Sequence, residues 1–153
     1  MAQELYIAKA GSKGKGVFAQ EDIPRGRVVI KFDGDENWIW NIPRIDWEYA
    51  LQVDFDRYVL PRRESPGWFL NHSCNPNCIL ASECQVKSWR RISKGEELTI
   101  DYSTNVGWDE FEMICVCGSE GCRKLVRSYK YLPGHLKEKY GRHVSPYLLR
   151  KRA

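Results

Sequence analysis

The chain has 153 residues, of which 42% are hydrophobic and 29% charged, a balance typical of one globular domain with a sizeable core. No stretch approaches the roughly 18 apolar residues of a membrane span, and residues 1–16 lack the apolar segment of a secretory signal. We therefore expect no membrane association and an intracellular, reducing location. In that setting, six cysteines favour metal binding or catalysis over disulfides.

The net charge of +4 conceals an asymmetry between two parts of the chain. Residues 1–120 contain 14 Lys and Arg against 19 Asp and Glu, whereas residues 121–153 contain 10 Lys and Arg and one acid. Acidic residues concentrate in the range 33–56, where Arg44 is the one basic residue. The pattern fits either a solvated acidic face or an acidic surface for a basic partner, with a basic tail for a polyanion.

Short strands separated by turns dominate the predicted secondary structure. Apolar alternation and Val- or Ile-rich runs predict strands over 5–8, 27–32, 57–60, 79–81, 85–90 and 97–101. A short helix is predicted over 45–51, a loop over 61–67 and a helical segment from Pro133 onward. This series indicates an irregular, mainly β domain rather than a doubly wound one.

A dense polar cluster, FLNHSCNPNC, occupies residues 69–78. Its centre, Asn71 to Cys74, carries an amide, an imidazole, a hydroxyl and a thiol in succession, with apolar residues on both sides. Asn, Ser and Pro favour turns and local side-chain bonds to the backbone, so this segment is a poor helix and a poor strand. The sequence predicts a buried functional loop here.

A second cluster, CVCGSEGC at residues 115–122, has three cysteines in a C-x-C-x4-C pattern. Its two glycines permit the tight turns that let thiolates converge at about 2.3 Å from one zinc ion. A closed structural site needs a fourth ligand, which must come from elsewhere. The candidates are Cys74, Cys78 and Cys84. Three ordinary buried thiols and an open catalytic zinc are the alternatives.

Two further motifs are less specific when taken alone. Gly14-Lys15-Gly16 allows close approach of the backbone to a ligand, but it lacks the third glycine and the long helix of a dinucleotide fingerprint. A plain turn explains it equally well. Residues 96–102, EELTIDY, predict a strand that ends on Tyr102. A tyrosine at a strand end serves packing more often than catalysis.

Taken in order, GKGVFA (14–19), FLNHSCNPNC (69–78), EELTIDY (96–102) and CVCGSEGCRK (115–124) resemble the SET-domain protein lysine methyltransferases with a post-SET zinc motif. The resemblance covers about residues 5–125. It implies a mainly β fold of small curved sheets, with short helices and a pseudoknot between segments 69–78 and 96–102. It also implies S-adenosylmethionine as methyl donor, S-adenosylhomocysteine as product and a protein lysine as acceptor.

The resemblance implies three parts of the chain and a role for individual residues. We expect a SET domain over 1–110 with an insert at about 33–66, a post-SET zinc motif over 111–125, and a basic helical extension over 126–153. Lys15 and Gly16 should meet the methionine end of the cofactor through backbone groups, Asn71 and His72 should hydrogen-bond it, and Tyr102 should be catalytic. The implied ligands of one structural zinc ion are Cys74, Cys115, Cys117 and Cys122. The residues expected near the lysine channel are Leu80, Ile100, Trp108 and Phe111, with ordinary packing as the alternative for the last two.

Two departures and the substrate class complete these expectations. Trp68 stands where many family members carry Arg, and neither Leu80 nor Ile100 is a Tyr, which favours transfer of more than one methyl group. The acidic insert favours a basic substrate, such as a histone or another chromosomal protein, and hence a nuclear or chromosomal location in a eukaryote. The basic tail, which ends in Arg150, Lys151 and Arg152, is either a solvated helix or a weak nucleic-acid contact through phosphates. The rival function is a catalytically silent, zinc-stabilised module that binds basic peptides.

Overall fold

A computed structural model describes residues 5–150 and shows a mainly β protein, in which this range forms four small sheets. The expected fold class is confirmed. The strands are β1 (Leu5–Lys9), β2 (Lys15–Ala19), β3 (Val28–Lys31), β4 (Glu36–Trp38), β5 (Leu51–Gln52), β6 (Arg57–Val59), β7 (Asn71–His72), β8 (Cys78–Ser82), β9 (Gln85–Ser88), β10 (Glu97–Ile100), β11 (Glu112–Ile114) and β12 (Leu125–Arg127). The sheet orders are β1-β2-β10-β7, β3-β9-β8, β4-β6-β5 and β11-β12.

Helical structure is short throughout the described range. The 3-10 turns span Gly11–Lys13, Ile39–Asn41, Arg44–Tyr49, Pro66–Phe69, Tyr102–Thr104, Tyr129–Tyr131 and Pro146–Leu149. The helix predicted over 45–51 is therefore a 3-10 segment that stops before β5. The segment predicted from Pro133 contains one α-helix, α1 (Gly134–Tyr140), which ends at Gly141 with φ 54°. Within residues 5–150, no helix has the length and apolar character needed to span a membrane.

The sheet β1-β2-β10-β7 brings together segments that lie far apart in the sequence. β10 pairs antiparallel with β2, so that Leu98 faces Val17, and parallel with β7, so that Thr99 faces Asn71 and Ile100 faces His72. The expected meeting of segments 69–78 and 96–102 is therefore observed. The prediction that 69–78 is entirely loop is wrong at Asn71 and His72, because the exposed edge of β10 offers them a pairing partner that local propensity cannot indicate.

Asn77 extends this pairing with its side chain. Its Oδ1 accepts a hydrogen bond from the Thr99 backbone N–H at 2.9 Å, and its Nδ2 donates to the Glu97 carbonyl at 2.7 Å. The amide is almost fully buried, with 3% of its surface exposed. The Asn77 side chain thus hydrogen-bonds the backbone of β10, as a paired strand would, at a point beyond the end of β7.

The main hydrophobic core contains residues of three sheets, β1-β2-β10-β7, β3-β9-β8 and β4-β6-β5. Val17, Ile23, Val86 and Leu98 are completely buried in it. A second cluster joins Ile79 to the C-terminal part of the chain through Leu132, Tyr140 and Val144. The residues that follow the cysteine motif therefore pack onto the body of the protein.

Candidate active site and metal centre

Asn71 and Glu97 form a polar cluster against the backbone of Lys15 and Gly16. Asn71 Nδ2 donates to the Lys15 carbonyl and to Glu97 Oε1, both at 2.9 Å, and Lys13 Nζ forms an ion pair with the Glu97 carboxylate. A Cβ atom at Gly16 would lie 2.5 Å from Glu97 Oε1, so only glycine allows this approach. The structure therefore brings three predicted cofactor residues together and adds Glu97, which the sequence did not single out. The signal that was available is its place in the EELTIDY motif.

The His72 ring is engaged on both nitrogens. Its Nδ1 accepts a hydrogen bond from the Tyr102 backbone N–H at 3.0 Å, and its Nε2 lies 3.3 Å from Cys74 Sγ. Burial lowers the pKa of His72 to about 4, so the ring is neutral at pH 7 and its one proton is on Nε2. The ring therefore connects the backbone of Tyr102 to the sulfur of Cys74.

Tyr102 lies where the main core meets the cysteine cluster. Its ring packs against both groups of residues and makes an edge contact with His72, with centroids 5.3 Å apart. Its hydroxyl donates to the Leu70 carbonyl at 2.6 Å. Burial raises the pKa of Tyr102 above its ordinary range, and the carboxylates of Glu48 and Glu97 raise it further. The hydroxyl is therefore neutral, and its oxygen lone pairs can accept hydrogen bonds from a ligand.

Four cysteine sulfurs converge beside this tyrosine. The sulfurs of Cys74, Cys115, Cys117 and Cys122 all lie within 4.8 Å of one another. The Cys74 and Cys115 sulfurs are 3.8 Å apart, which matches the separation of about 3.8 Å that follows from tetrahedral zinc with bonds of about 2.3 Å. Cys78 instead lies in the main core, and Cys84 packs against that core. The donor set thus fits one closed, four-coordinate zinc ion.

An ion pair beside the cysteines was not anticipated from the sequence. The Asp101 carboxylate is fully buried and accepts two hydrogen bonds at 2.8 Å from the Arg123 guanidinium. The carboxylate also accepts a hydrogen bond from the Tyr140 hydroxyl at 2.9 Å. The Arg123 backbone N–H donates to Cys74 Sγ at 3.4 Å. The pair therefore joins the end of β10, the cysteine motif and helix α1.

The residues expected near the lysine channel divide into two groups. Leu80 and Ile100 are buried in the main core cluster against which Tyr102 packs. Phe111 instead packs against the cysteine cluster, and Trp108 is 49% exposed. Trp68, at the position of the expected Arg, stacks on Tyr49 with ring centroids 4.2 Å apart. The Arg63 guanidinium lies 5.0 Å from the centroid of the Trp68 ring, so aromatic and cationic groups meet at this position.

Comparison with known proteins identifies the domain. Residues 14–103 match the SET domain family, which is more than half of the chain. The chain belongs to the SET-domain family. The matched range contains Asn71, Glu97, His72 and Tyr102. It also contains Cys74, whereas Cys115, Cys117 and Cys122 follow it.

The SET-domain chain is similar to several curated proteins. It is 31% identical over 137 residues to "Histone-lysine N-methyltransferase trr" of Drosophila melanogaster, covering 78% of this chain and 6% of that protein. It is 33% identical over 149 residues to "Probable histone-lysine N-methyltransferase set-23" of Caenorhabditis elegans, covering 80% of this chain and 59% of that protein. The chain thus spans only part of the length of these relatives.

The fold is also similar to solved structures. KRYPTONITE in complex with mCHH DNA, H3(1-15) peptide and SAH is 26% identical, with a TM-score of 0.60 over 82% of this chain and 30% of that one. The methyltransferase domain of human SETMAR has a TM-score of 0.67 at 21% identity, over 84% of this chain and 59% of that one. The second likeness concerns the fold alone.

Proposed function

We propose that this SET-domain protein transfers methyl groups from S-adenosylmethionine to lysine residues of a basic protein such as a histone. The observation that carries the proposal is the parallel pairing of β7 with β10. Asn71 and His72 in β7 stand three and two residues from Cys74, while Ile100 in β10 is two residues from Tyr102. One strand pair thereby places the candidate cofactor contacts, the tyrosine and a cysteine of the metal cluster side by side. The names of the relatives and the H3 peptide and SAH bound to KRYPTONITE support the same chemistry.

Main-chain and amide groups would hold the cofactor. The Lys15 carbonyl and the Asn71 side chain are polar groups available for this contact, and they are hydrogen-bonded to each other. Because both ring nitrogens of His72 are engaged, we assign its cofactor contact to its backbone groups. When bound, S-adenosylmethionine supplies an electrophilic methyl group on a sulfonium ion.

The remaining task of the protein is to present a neutral lysine amine in line with that methyl group. A free lysine has a pKa of about 10.4, and an apolar channel lowers it by desolvating the charged form. Leu80 and Ile100 belong to the apolar core cluster against which Tyr102 packs, and we assign them to the channel wall. The Tyr102 oxygen accepts a hydrogen bond from the amine and so orients it, which makes alignment the main catalytic contribution. Because neither Leu80 nor Ile100 is a Tyr, neither can hydrogen-bond the amine, which favours more than one transfer.

We assign a structural role to one zinc ion held by the four cysteines. The Nε2–H of His72 points to Cys74 Sγ, and the other nitrogen of the same ring binds the backbone of Tyr102. Loss of the metal would free Cys74 and remove one support of this ring. Zinc would therefore affect methyl transfer although it takes no part in the chemistry.

The acidic insert supports a basic substrate. Its sheet β4-β6-β5 carries Glu36, and neighbouring Trp38 and Trp40 are 46% and 66% exposed. Both charged segments are paired in part, since Glu36 of the insert lies 2.8 Å from Arg57 and several basic residues of the C-terminal segment also form ion pairs. Lys130 binds Asp109 at 3.2 Å and Arg150 binds Asp54 at 3.4 Å, while Lys151 and Arg152 lie outside the described residues. These two ion pairs favour a structural role for Lys130 and Arg150 over a contact with nucleic acid. A chromatin substrate would place the protein in the nucleus.

Labelled S-adenosylmethionine and a mixture of histones and other basic proteins test the proposal. Tyr102→Phe should reduce lysine labelling about 100-fold, because alignment of the amine is lost. Tyr6→Phe is the matched control, since Tyr6 is 41% exposed and its ring stacks on Phe18. Absence of labelling by the wild type, with retained peptide binding, would favour the silent binding module. Equal labelling by Tyr102→Phe would refute the role of the hydroxyl.

Metal analysis tests the zinc assignment separately. The wild type should contain about one zinc per chain, as a closed site of four cysteines requires. Cys74→Ser should lower that content and the labelling rate together. Cys84→Ser is the control, because Cys84 lies outside the four-sulfur cluster. Unchanged zinc in Cys74→Ser would refute the fourth ligand.

A further inference from the structure

The polar cluster at Lys15 and Asn71 consists largely of hydrogen-bond acceptors. Asn71 uses Nδ2 for both of its contacts, with the Lys15 carbonyl and with Glu97 Oε1. This leaves Asn71 Oδ1 as a further acceptor beside the Lys15 carbonyl and the Glu97 carboxylate. A group of acceptors that carries one negative charge selects a cationic donor.

A cation of this kind already contacts the cluster. Lys13 Nζ, an ammonium group, pairs with Glu97 Oε2. Lys13 comes from the turn Gly11–Lys13, and the adjoining Gly14 has φ 79°. The side chains of Lys13 and Glu97 are 26% and 17% exposed, so the ion pair is reached by solvent and does not lie in the core. A long flexible side chain in that position can give way to another ammonium group.

Gly16 determines how closely the carboxylate approaches the backbone. A side chain at this position would meet Glu97 Oε1 at 2.5 Å and Asn71 Nδ2 at 3.1 Å. The same strand is the one whose backbone we assign to the methionine end of the cofactor. That end carries one ammonium group and one carboxylate group.

We infer that Glu97 is a specificity-determining residue that binds the α-ammonium group of the cofactor, in the place where Lys13 Nζ now lies. The inference rests on the proposed function and identifies the group that would distinguish the amino-acid end of the cofactor. Asn71 holds the carboxylate in place, and Gly16 leaves room for it. Lys13 is a competitor that leaves when the cofactor binds.

Calorimetric titration of the zinc-loaded protein with S-adenosylhomocysteine tests the inference without turnover. Glu97→Gln keeps the size and the hydrogen-bonding oxygen of the side chain and removes its charge. It should weaken binding about 10-fold, because charge-assisted hydrogen bonds are the stronger ones. Lys13→Met is the matched variant, because it removes the partner of the same ion pair. It should bind S-adenosylhomocysteine at least as tightly as the wild type, since the competing ammonium group is absent.

Each outcome decides between this role and an ordinary ion pair. If Glu97 only anchors Lys13, both variants should weaken binding alike, and that result would overturn the inference. Unchanged affinity in Glu97→Gln would also overturn it, as would equal weakening for 5′-methylthioadenosine, which lacks the amino-acid end. Should Glu97→Gln fail to fold, Lys13→Met still decides, because weaker binding by that variant contradicts displacement. No binding by the wild type would instead refute the proposed cofactor.

Discussion

Removal of the Arg123 guanidinium should destabilise the protein far more than removal of a surface arginine. In Arg123→Met the Asp101 carboxylate, whose side chain is completely buried, loses two hydrogen bonds of 2.8 Å and its counter-charge. It retains the Tyr140 hydroxyl and the Ser103 backbone N–H, which do not neutralise it. Breaking a buried ion pair from one side costs about 3–5 kcal/mol.

Urea unfolding at a fixed concentration of free zinc measures this loss, because bound metal itself adds to the apparent stability. For a domain of this size, 3–5 kcal/mol corresponds to a fall in Tm of roughly 10 °C. Zinc content is determined in parallel, because the Arg123 backbone N–H donates to Cys74 Sγ. An unchanged content would show that the substitution has not disturbed the cysteine cluster.

Arg91→Met is the control for loss of an arginine. Its pair with Asp22 is largely exposed, at 66% and 53%, so the cost should be about 1 kcal/mol or less. The double variant Asp101→Asn with Arg123→Met should recover part of the loss, because no uncompensated charge remains. Equal stability of Arg123→Met and Arg91→Met would refute the reasoning, and so would a double variant less stable than Arg123→Met.

Two further predictions follow from other contacts. Asn77→Asp removes the amide donor to the Glu97 carbonyl and buries a charge, so unfolding free energy should fall by about 1–3 kcal/mol, whereas Asn41→Asp on the surface should change it by less than about 0.5 kcal/mol. Equal effects of the two variants in urea unfolding would contradict the role of Asn77. The raised pKa of Tyr102 keeps its hydroxyl protonated at higher pH than usual. Under the proposed function, kcat/KM should therefore rise with pH as a substrate lysine loses its proton. A falling limb below about pH 10, in protein shown to remain folded, would contradict this expectation.

Elements whose residue pattern is contiguous in the sequence could be predicted, whereas elements that depend on a distant pairing partner could not. Strands such as β1, β9 and β10 follow from runs of alternating or β-branched residues, and the short α1 follows from apolar spacing after Pro133. β2 was not predicted, because Gly14 and Gly16 indicate a turn. The two-residue strand β7 gives no such signal, since Asn71 and His72 favour turns. Its conformation comes from the edge of β10, which lies more than 20 residues away in the sequence.

The same distinction applies within the site. The C-x-C-x4-C pattern indicated a metal site because three cysteines lie within eight residues. The fourth sulfur could have come from any one of three other cysteines. Only the tertiary structure places Cys74 there and leaves Cys78 in the core. It likewise separates Phe111, against the cysteines, from Trp108 at the surface.

The sequence alone determined the chemical groups available to this protein. They are the glycines around Lys15, the amide and imidazole within residues 69–78, the terminal tyrosine of EELTIDY and the thiols. These signals are contiguous, and their residue types limit the chemistry they can perform. The tertiary structure decided which groups meet, including Glu97 with Asn71 and Asp101 with Arg123. Those contacts join residues 22 to 26 positions apart, and they form because packing of the whole chain excludes water from the partners. Neither local propensity nor motif spacing carries that information.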